Sequence, residues 1–480
     1  MADPAVDVIA RALGAGPGWP DDAERSGPLA GVRVLDLSRV LAGPFATMIL
    51  GDLGADVVKV ERPGAGDDTR HWGPPFHGVD AAYFLSVNRN RRSLTLDLQD
   101  HVGAAVVRHL AAHADVVIEN FLPRRLQSLG LAKLRDDPQG PVWVAIRGAG
   151  SNGPDGDRPG YDVMVQARSG LMSITGPAGG EPVKVGVAIA DVVCGLYAAV
   201  SALTGLVARH RGGDAGHGAT GNAGAHQPTD AGNTDAHQPT DAGNTDAHQP
   251  TDAGNTGAHQ PTDAGNTGAG NAGGEQRGGS VIEVPLLEAT ISALVNQASN
   301  YLVGGQVPRP AGNDHPNIYP YGPLRTADGD LVVGAGNDAQ FRRLCAAIGR
   351  PELASDTRFA SNRDRVVRRE ALRAELERTL SNRSRREWMP LLDRAGVPYA
   401  PIESLDEVFA DPHVVAVGLV REVDHPAGPL PQVRSPLLVD GAPLPMRRPP
   451  PLLGEHTDKI LRQLGLDDDA IASLHARHAC

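Results

Sequence analysis

From Val32 to Gly148 short apolar runs alternate with longer segments of helical spacing. VRVLDLS (Val32–Ser38), DVVKVER (Asp56–Arg62), SLTLDL (Ser93–Leu98), DVVIENF (Asp115–Phe121) and VWVAIRG (Val142–Gly148) predict strands. Apolar residues fill them almost without interruption, as expected of strands covered on both faces. PFATMILGDLG (Pro44–Gly54) and HVGAAVVRHLAAHA (His101–Ala114) predict helices between them. Such alternation, with right-handed crossovers, predicts a doubly wound α/β fold on a mostly parallel, Rossmann-like sheet. Sheets of this kind bind ligands beyond the carboxyl ends of their strands. Those ends carry Ser38-Arg39, Glu61-Arg62, Leu98-Gln99 and Asn120-Phe121.

Further along, the approach VAIAD delivers Asp191 to the threshold of a long apolar helix predicted over Val192–His210. Locally this suits two roles, a reactive carboxylate or an N-terminal helix cap. VIEV (Val281–Val284) resumes a strand, and one helix is expected over LLEATISALVNQASNYLVGG. A hairpin is expected around LRTADGDLVVGAG with its turn at Asp328-Gly329. Charged amphipathic helices follow over residues 338–396, and two short helices near the end.

Residues 212–279 differ in kind. AHQPTDAGNT recurs from Ala225, Ala236, Ala247 and Ala258 with no apolar stripe, and each copy holds Pro and Gly. That composition excludes a coiled coil and predicts disorder. Histidines 226, 237, 248 and 259 repeat regularly but lack accompanying ligands, so no metal site is expected.

Composition narrows the function. The net charge of −12 argues against nucleic acid as a partner, and the repeat segment carries more than half of it. Three scattered cysteines make no disulfide framework or metal cluster, which suggests a reducing, cytoplasmic setting. The N-terminus shows no secretory pattern, and the apolar run around Gly195–Ala208 reads as too short to span a membrane. No G-x-G-x-x-G opens the first helix and no Walker A sequence occurs, so nicotinamide, flavin and P-loop chemistry lose their usual support.

Several ordered blocks carry a resemblance. They are GVRVLDLSRVLAGPFATMILGDLGADVVKVERPGAGDDTR, NRNRRSLTLDL, DVVIENF, GYDVMVQARSGLMSITG, VAIAD, GVPYAPI and PLLGEHT. In this order they resemble the family III CoA-transferases, a group that also includes α-methylacyl-CoA racemases. The resemblance implies a large CoA-binding domain (29–211 and 401–480) with a smaller α+β domain (280–400) between, interrupted by the 212–279 insert and preceded by an N-terminal tail (1–28). It also implies an interlocked homodimer, with acyl-CoA and carboxylic acids as substrates and no cofactor beyond coenzyme A itself.

By that resemblance Asp191 is the nucleophile, ionised at neutral pH, that exchanges CoA between an acyl-CoA (plausibly succinyl-CoA) and an acid through aspartyl anhydride and aspartyl-CoA intermediates. Tyr161 stands where the racemase branch has histidine, which favours the transferase, and Asp162 would orient its loop. Coenzyme A would meet Val40, Leu41, Ala42, Arg62, Leu96, Asp97, Leu98, Gln99, Asn120, Phe121 and Arg158. Arg89, Arg91 and Arg92 form a further basic cluster that could reach a phosphate. Leu41 replaces the glutamine of formyl-CoA transferases, so a one-carbon substrate is disfavoured. Ser128 replaces an arginine, for which Arg124 or Arg125 could substitute. His315, in the loop Ala311–Leu324, is a candidate contact for the acceptor acid. The alternatives are an acyl-CoA racemase or epimerase of the same fold, or a non-catalytic CoA-binding scaffold.

Overall fold

The computed structural model describes residues 4–20, 26–214 and 280–480. The disorder expected of the repeat segment, with its histidines, therefore lies outside the described residues. Six strands form the main sheet: β1 (Arg33–Leu37), β2 (Asp56–Glu61), β3 (Arg92–Thr95), β4 (Val116–Glu119), β5 (Val142–Arg147) and β6 (Ser280–Pro285). All run parallel, in the order β3-β2-β1-β4-β5-β6. The chain moves outward from β1 to β3, then restarts at β4 on the other side of β1. That reversal leaves a crevice at the carboxyl ends of β1 and β4.

Successive residues of each strand enter different cores, which explains the continuous apolar runs. Leu35, Val58, Leu94, Val117 and Trp143 face one side. There they meet α1 (Pro4–Ala15), α3 (His101–His113) and two C-terminal helices, Thr457–Gln463 and Asp468–Ala476. Val34, Val57, Val116, Ile118 and Val144 face the other side. They pack on α2 (Ala42–Asp52), α5 (Ile189–Asp214) and α6 (Leu286–Ser292). The start of α2 lies so close to α5 that a Cβ at Gly195 would stand 2.7 Å from the Ala42 carbonyl oxygen.

A separate core forms around an antiparallel sheet, β7 (Tyr321–Thr326), β8 (Gly329–Gly334) and β9 (Tyr399–Pro401), in the order β9-β8-β7. Its helices include Asp338–Ala347, Arg369–Leu380 and Arg385–Ala395. A second hairpin, Val420–His425 with Gly428–Val433, follows before the chain returns to β3. There Thr95 donates its N–H to Thr457 Oγ1 (2.9 Å), and Asp97 donates to the Ala479 carbonyl (2.9 Å).

Several expectations change. The 1–28 tail contains a helix, with Ile9 and Leu13 buried in the first core and Trp19 Nε1 donating to Asp56 (2.7 Å). The stretch from residue 280, assigned to the smaller domain, supplies the sixth strand of the main sheet because Val281–Pro285 pairs with β5. The single helix expected after it breaks at Ala293-Leu294 into α6 and α7 (Val295–Gly304). Gly329 pairs with Thr326, so the hairpin turn is Ala327-Asp328. Within α5, Ile189–Arg211 is long and apolar enough to cross a bilayer, contrary to the length argument. Its Ala190, Cys194, Ala198 and Ala202 nevertheless pack against the sheet, as in a core helix. The cluster Arg89, Arg91 and Arg92 turns inward, pairing with Asp52 (2.6 Å), Asp36 (2.9 Å) and Asp56 (2.6 Å). These arginines tie the sheet to its flanks and leave no charge for a ligand.

Candidate active site

Beyond the carboxyl ends of β1 to β5 lies a cavity of about 1170 Å³. The turn after β1 contributes Val40, Leu41 and Ala42, and the end of β2 contributes Arg62. Leu96, Asp97, Leu98 and Gln99 follow β3, while Asn120 and Phe121 follow β4. Arg158, Tyr161 and Asp191 line it as well. Residues scattered over 150 positions of sequence thus meet because parallel strands deliver their ends to one edge.

Six arginines line this cavity, and one of them, Arg147, is paired with the buried Glu119 at 2.8 Å. Arg39 and Arg62 share Asp68, at 2.8 and 2.9 Å, and Arg158 pairs with Asp155 at 2.9 Å. Arg124 and Arg125 have no carboxylate partner among the described residues, and both line the cavity beside Ser128. An excess of exposed cations suits an anionic ligand with several phosphate charges. Asn120 latches the strand turn, accepting from Arg39 N–H (3.2 Å) and donating to its carbonyl (2.9 Å).

Asp191 is not the helix cap. Its helix starts at Ile189, and Val192 N–H already closes on the Ala188 carbonyl at 3.1 Å. The capping duty falls to Asp162. Its Oδ1 accepts from Ala190 N–H (2.9 Å), and its Oδ2 accepts from Gln166 Nε2 (2.7 Å). Gln166 in turn accepts from Val185 N–H (2.9 Å), so α4 (Asp162–Arg168) is laced to the approach to α5.

The Asp191 carboxylate has no hydrogen bond or ion pair among the described residues, and only 9% of the residue is exposed. Burial, and secondarily the charge of Asp162, push its pKa up to about 7. This corrects the expectation of a fully ionised group, since the carboxyl pKa is held well above the ordinary range for Asp. An unpaired buried acid with a raised pKa in a cleft is a recognised mark of a reacting group.

Tyr161 precedes α4 in extended backbone and is half exposed, with 55% of its surface free. Tyr83 was missed in the sequence. Burial first, then the charges of Asp191, Asp162 and Asp67, push its hydroxyl up to about 12, so it stays protonated near Asp191. Only a lone tyrosine in the stretch AAYFLS announces it, and nothing in that pattern indicates proximity to Asp191. His315 does not line the cavity. Its Nδ1 accepts from Asn317 N–H (3.1 Å) and its ring meets Tyr321 edge-on at 5.3 Å. No cluster of potential metal ligands occurs among the described residues.

A family profile for CoA-transferase family III matches residues 29–252 and 270–457. The succinyl-CoA:glutarate CoA-transferase of Homo sapiens is 38% identical over 451 residues, covering 93% of this chain and 88% of that protein. The succinate–glutarate CoA-transferase of Agrobacterium fabrum is 37% identical, covering 92% of this chain and 97% of that protein. Among solved structures, a CaiB/BaiF family protein from Brucella suis superposes with a TM-score of 0.69 at 37% identity, covering 92% of this chain and all of that one.

Proposed function

The chain belongs to CoA-transferase family III, and we propose that it moves CoA from succinyl-CoA to a short dicarboxylic acid of the glutarate class, with Asp191 as the covalent nucleophile. The donor and acceptor follow the names of the human and Agrobacterium relatives. The observation that carries the assignment to Asp191 is its place: a buried, unpaired carboxylate on the wall of a cavity rimmed with arginines. The arginine rim and Leu98 and Phe121 suit the phosphates and apolar portion of CoA, with the thioester end towards Asp191.

In the first step an Asp191 oxygen attacks the thioester carbon, the C–S bond breaks and CoA leaves as thiolate. This gives a mixed anhydride between Asp191 and the acyl group. The thiolate then attacks the Asp191 carbonyl carbon of that anhydride, releasing the donor acid as carboxylate and leaving an Asp191–CoA thioester. The acceptor carboxylate attacks the carbonyl carbon of this thioester, the C–S bond breaks and CoA leaves again as thiolate, giving a second anhydride between Asp191 and the acceptor. The returning thiolate takes the acceptor's acyl carbon and frees Asp191. Splitting the exchange in this way replaces one difficult step by easier ones.

Trapping tests the covalent route. Hydroxylamine added with succinyl-CoA should leave a hydroxamate on the peptide that contains Asp191, read by mass spectrometry. A wild-type enzyme that turns over without any such adduct would refute the aspartyl intermediates. The exposed apolar side chains Leu196, Tyr197 and Val200 on α5 and Leu302 and Val303 on α7 support a homodimer that covers them. Sedimentation at micromolar concentration should show that dimer, and a monomer throughout would remove it.

A further inference from the structure

Between β1 and α2 the chain turns through Ser38–Leu41, and outside groups hold that turn at three successive residues. Lys59 Nζ donates to the Ser38 carbonyl at 2.9 Å. Asn120 brackets Arg39 from both sides of its peptide. Val40 N–H points at the Asp67 carboxylate, 3.3 Å from each oxygen. Val40 itself has φ +73°, in the left-handed region that a β-branched residue rarely enters.

Asp67 is well placed to enforce that backbone. Its side chain and that of Lys59 are both fully buried, with a 3.0 Å ion pair between them. Thr69 adds its N–H (3.1 Å) and its hydroxyl (2.8 Å) to the same carboxylate. The Asp67 N–H is fixed by Glu61 at 3.0 Å. Buried ion pairs are poor sources of stability, because desolvation offsets their attraction, but their partners are fixed in place. The turn they fix leads straight into Ala42, whose carbonyl abuts Gly195 on the helix that carries Asp191.

We propose that the buried Asp67–Lys59 pair is a positioning device, holding Val40 in its left-handed conformation so that the Val40–Ala42 backbone presents the acyl thioester to Asp191. The proposal deepens the transferase reading and rests on it. Neither residue need touch substrate: Asp67 acts through Val40, and Lys59 acts through Asp67 and Ser38. The strain at Val40 is the sign that this geometry is imposed by the surroundings and is not the relaxed choice of the loop.

Three measurements test it. Asp67→Asn keeps the size and an acceptor but removes the charge that Lys59 holds. It should lower kcat about 30-fold, a loss in keeping with a small misplacement of reacting groups, while KM for succinyl-CoA stays within about 3-fold. Glycine enters the left-handed region freely, so the loss should shrink to about 5-fold when Val40→Gly is added. Amide exchange in the wild-type chain should show Val40 N–H protected, whether or not any variant folds. A kcat for Asp67→Asn within 3-fold of wild type overturns the proposal, as does an equal loss with and without Val40→Gly. So does a Val40 amide that exchanges as fast as open-loop amides. If the wild-type chain catalyses no CoA exchange, the transferase reading fails instead, and the amide measurement still decides whether the clamp exists.

Discussion

Asp67 and Asp191 both line one cavity, both nearly enclosed by protein, and they meet opposite electrostatic fates. At Asp67 burial alone would raise the pKa, but Lys59 and the Thr69 bonds outweigh it and hold the group below the usual carboxylate range. At Asp191 burial acts without a cation to oppose it, and Asp162 adds repulsion. Residue type and burial are alike, so the partner decides. The strand-end corner spends its carboxylate on fixing a backbone, whereas the start of α5 leaves its carboxylate without a partner and therefore available to a substrate.

The largest test of this contrast removes each carboxylate in turn. Under the proposed covalent route, Asp191→Ala should lower the rate of the proposed exchange between succinyl-CoA and glutarate by about a thousandfold or more. Near-normal turnover would end the distinction between the two sites. Asp67→Asn, with its intermediate loss in kcat, should come second, and a loss equal to that of Asp191→Ala would mean that Asp67 itself reacts.

Dependence on pH sharpens the comparison further. With Asp191 as the proposed nucleophile only its ionised form attacks, so kcat/KM at low pH should rise about tenfold per pH unit and level off near pH 7. Asp162→Asn removes the lesser cause of the raised pKa, so the bend should move to lower pH yet stay above the ordinary range for Asp, because burial is the greater cause. A bend that stays at pH 7 in this variant would remove Asp162 from the electrostatics of the site.

The smallest effect is on stability. Asp191 binds its proton more tightly when folded than unfolded, so ionising it opposes folding. That cost is absent below about pH 4, grows as the pH rises to about 7, and is constant above. Asp191→Asn should therefore melt higher than wild type at pH 8, by roughly 2–4 °C, with the gap closing towards pH 4. A variant that melts lower at pH 8 would show that the carboxylate is stabilised by a partner after all.

The strands of the main sheet were legible because burial on both faces writes a dense apolar signal that no loop imitates. Strand-end residues such as Arg62, Leu98, Gln99, Asn120 and Phe121 were legible for a related reason: in a parallel sheet the carboxyl ends must share an edge, whereas Val40, Leu41, Ala42, Leu96 and Asp97 came only through the family resemblance. Arg89, Arg91 and Arg92 misled, since a run of cations in sequence carries no sign of the aspartates that β1, β2 and α2 bring beneath it. Asp191 was found with two local roles open, and the cap role fell away because the helix starts at Ile189, three positions before the expected Val192. Tyr83 and the Lys59–Asp67 pair were not legible. Their partners lie on other elements, and an isolated Lys or Asp ordinarily reads as solvated surface.

The sequence by itself determined the alternation of strand and helix, the parallel sheet with both faces covered, and which strand ends carry polar chemistry. These follow from periodicity and composition, which act locally along the chain. Only the tertiary structure decided which of the buried carboxylates would be neutralised and which left unpaired. Acid strength depends on charges a few ångströms away in space, and those charges come from segments that are remote from one another in sequence.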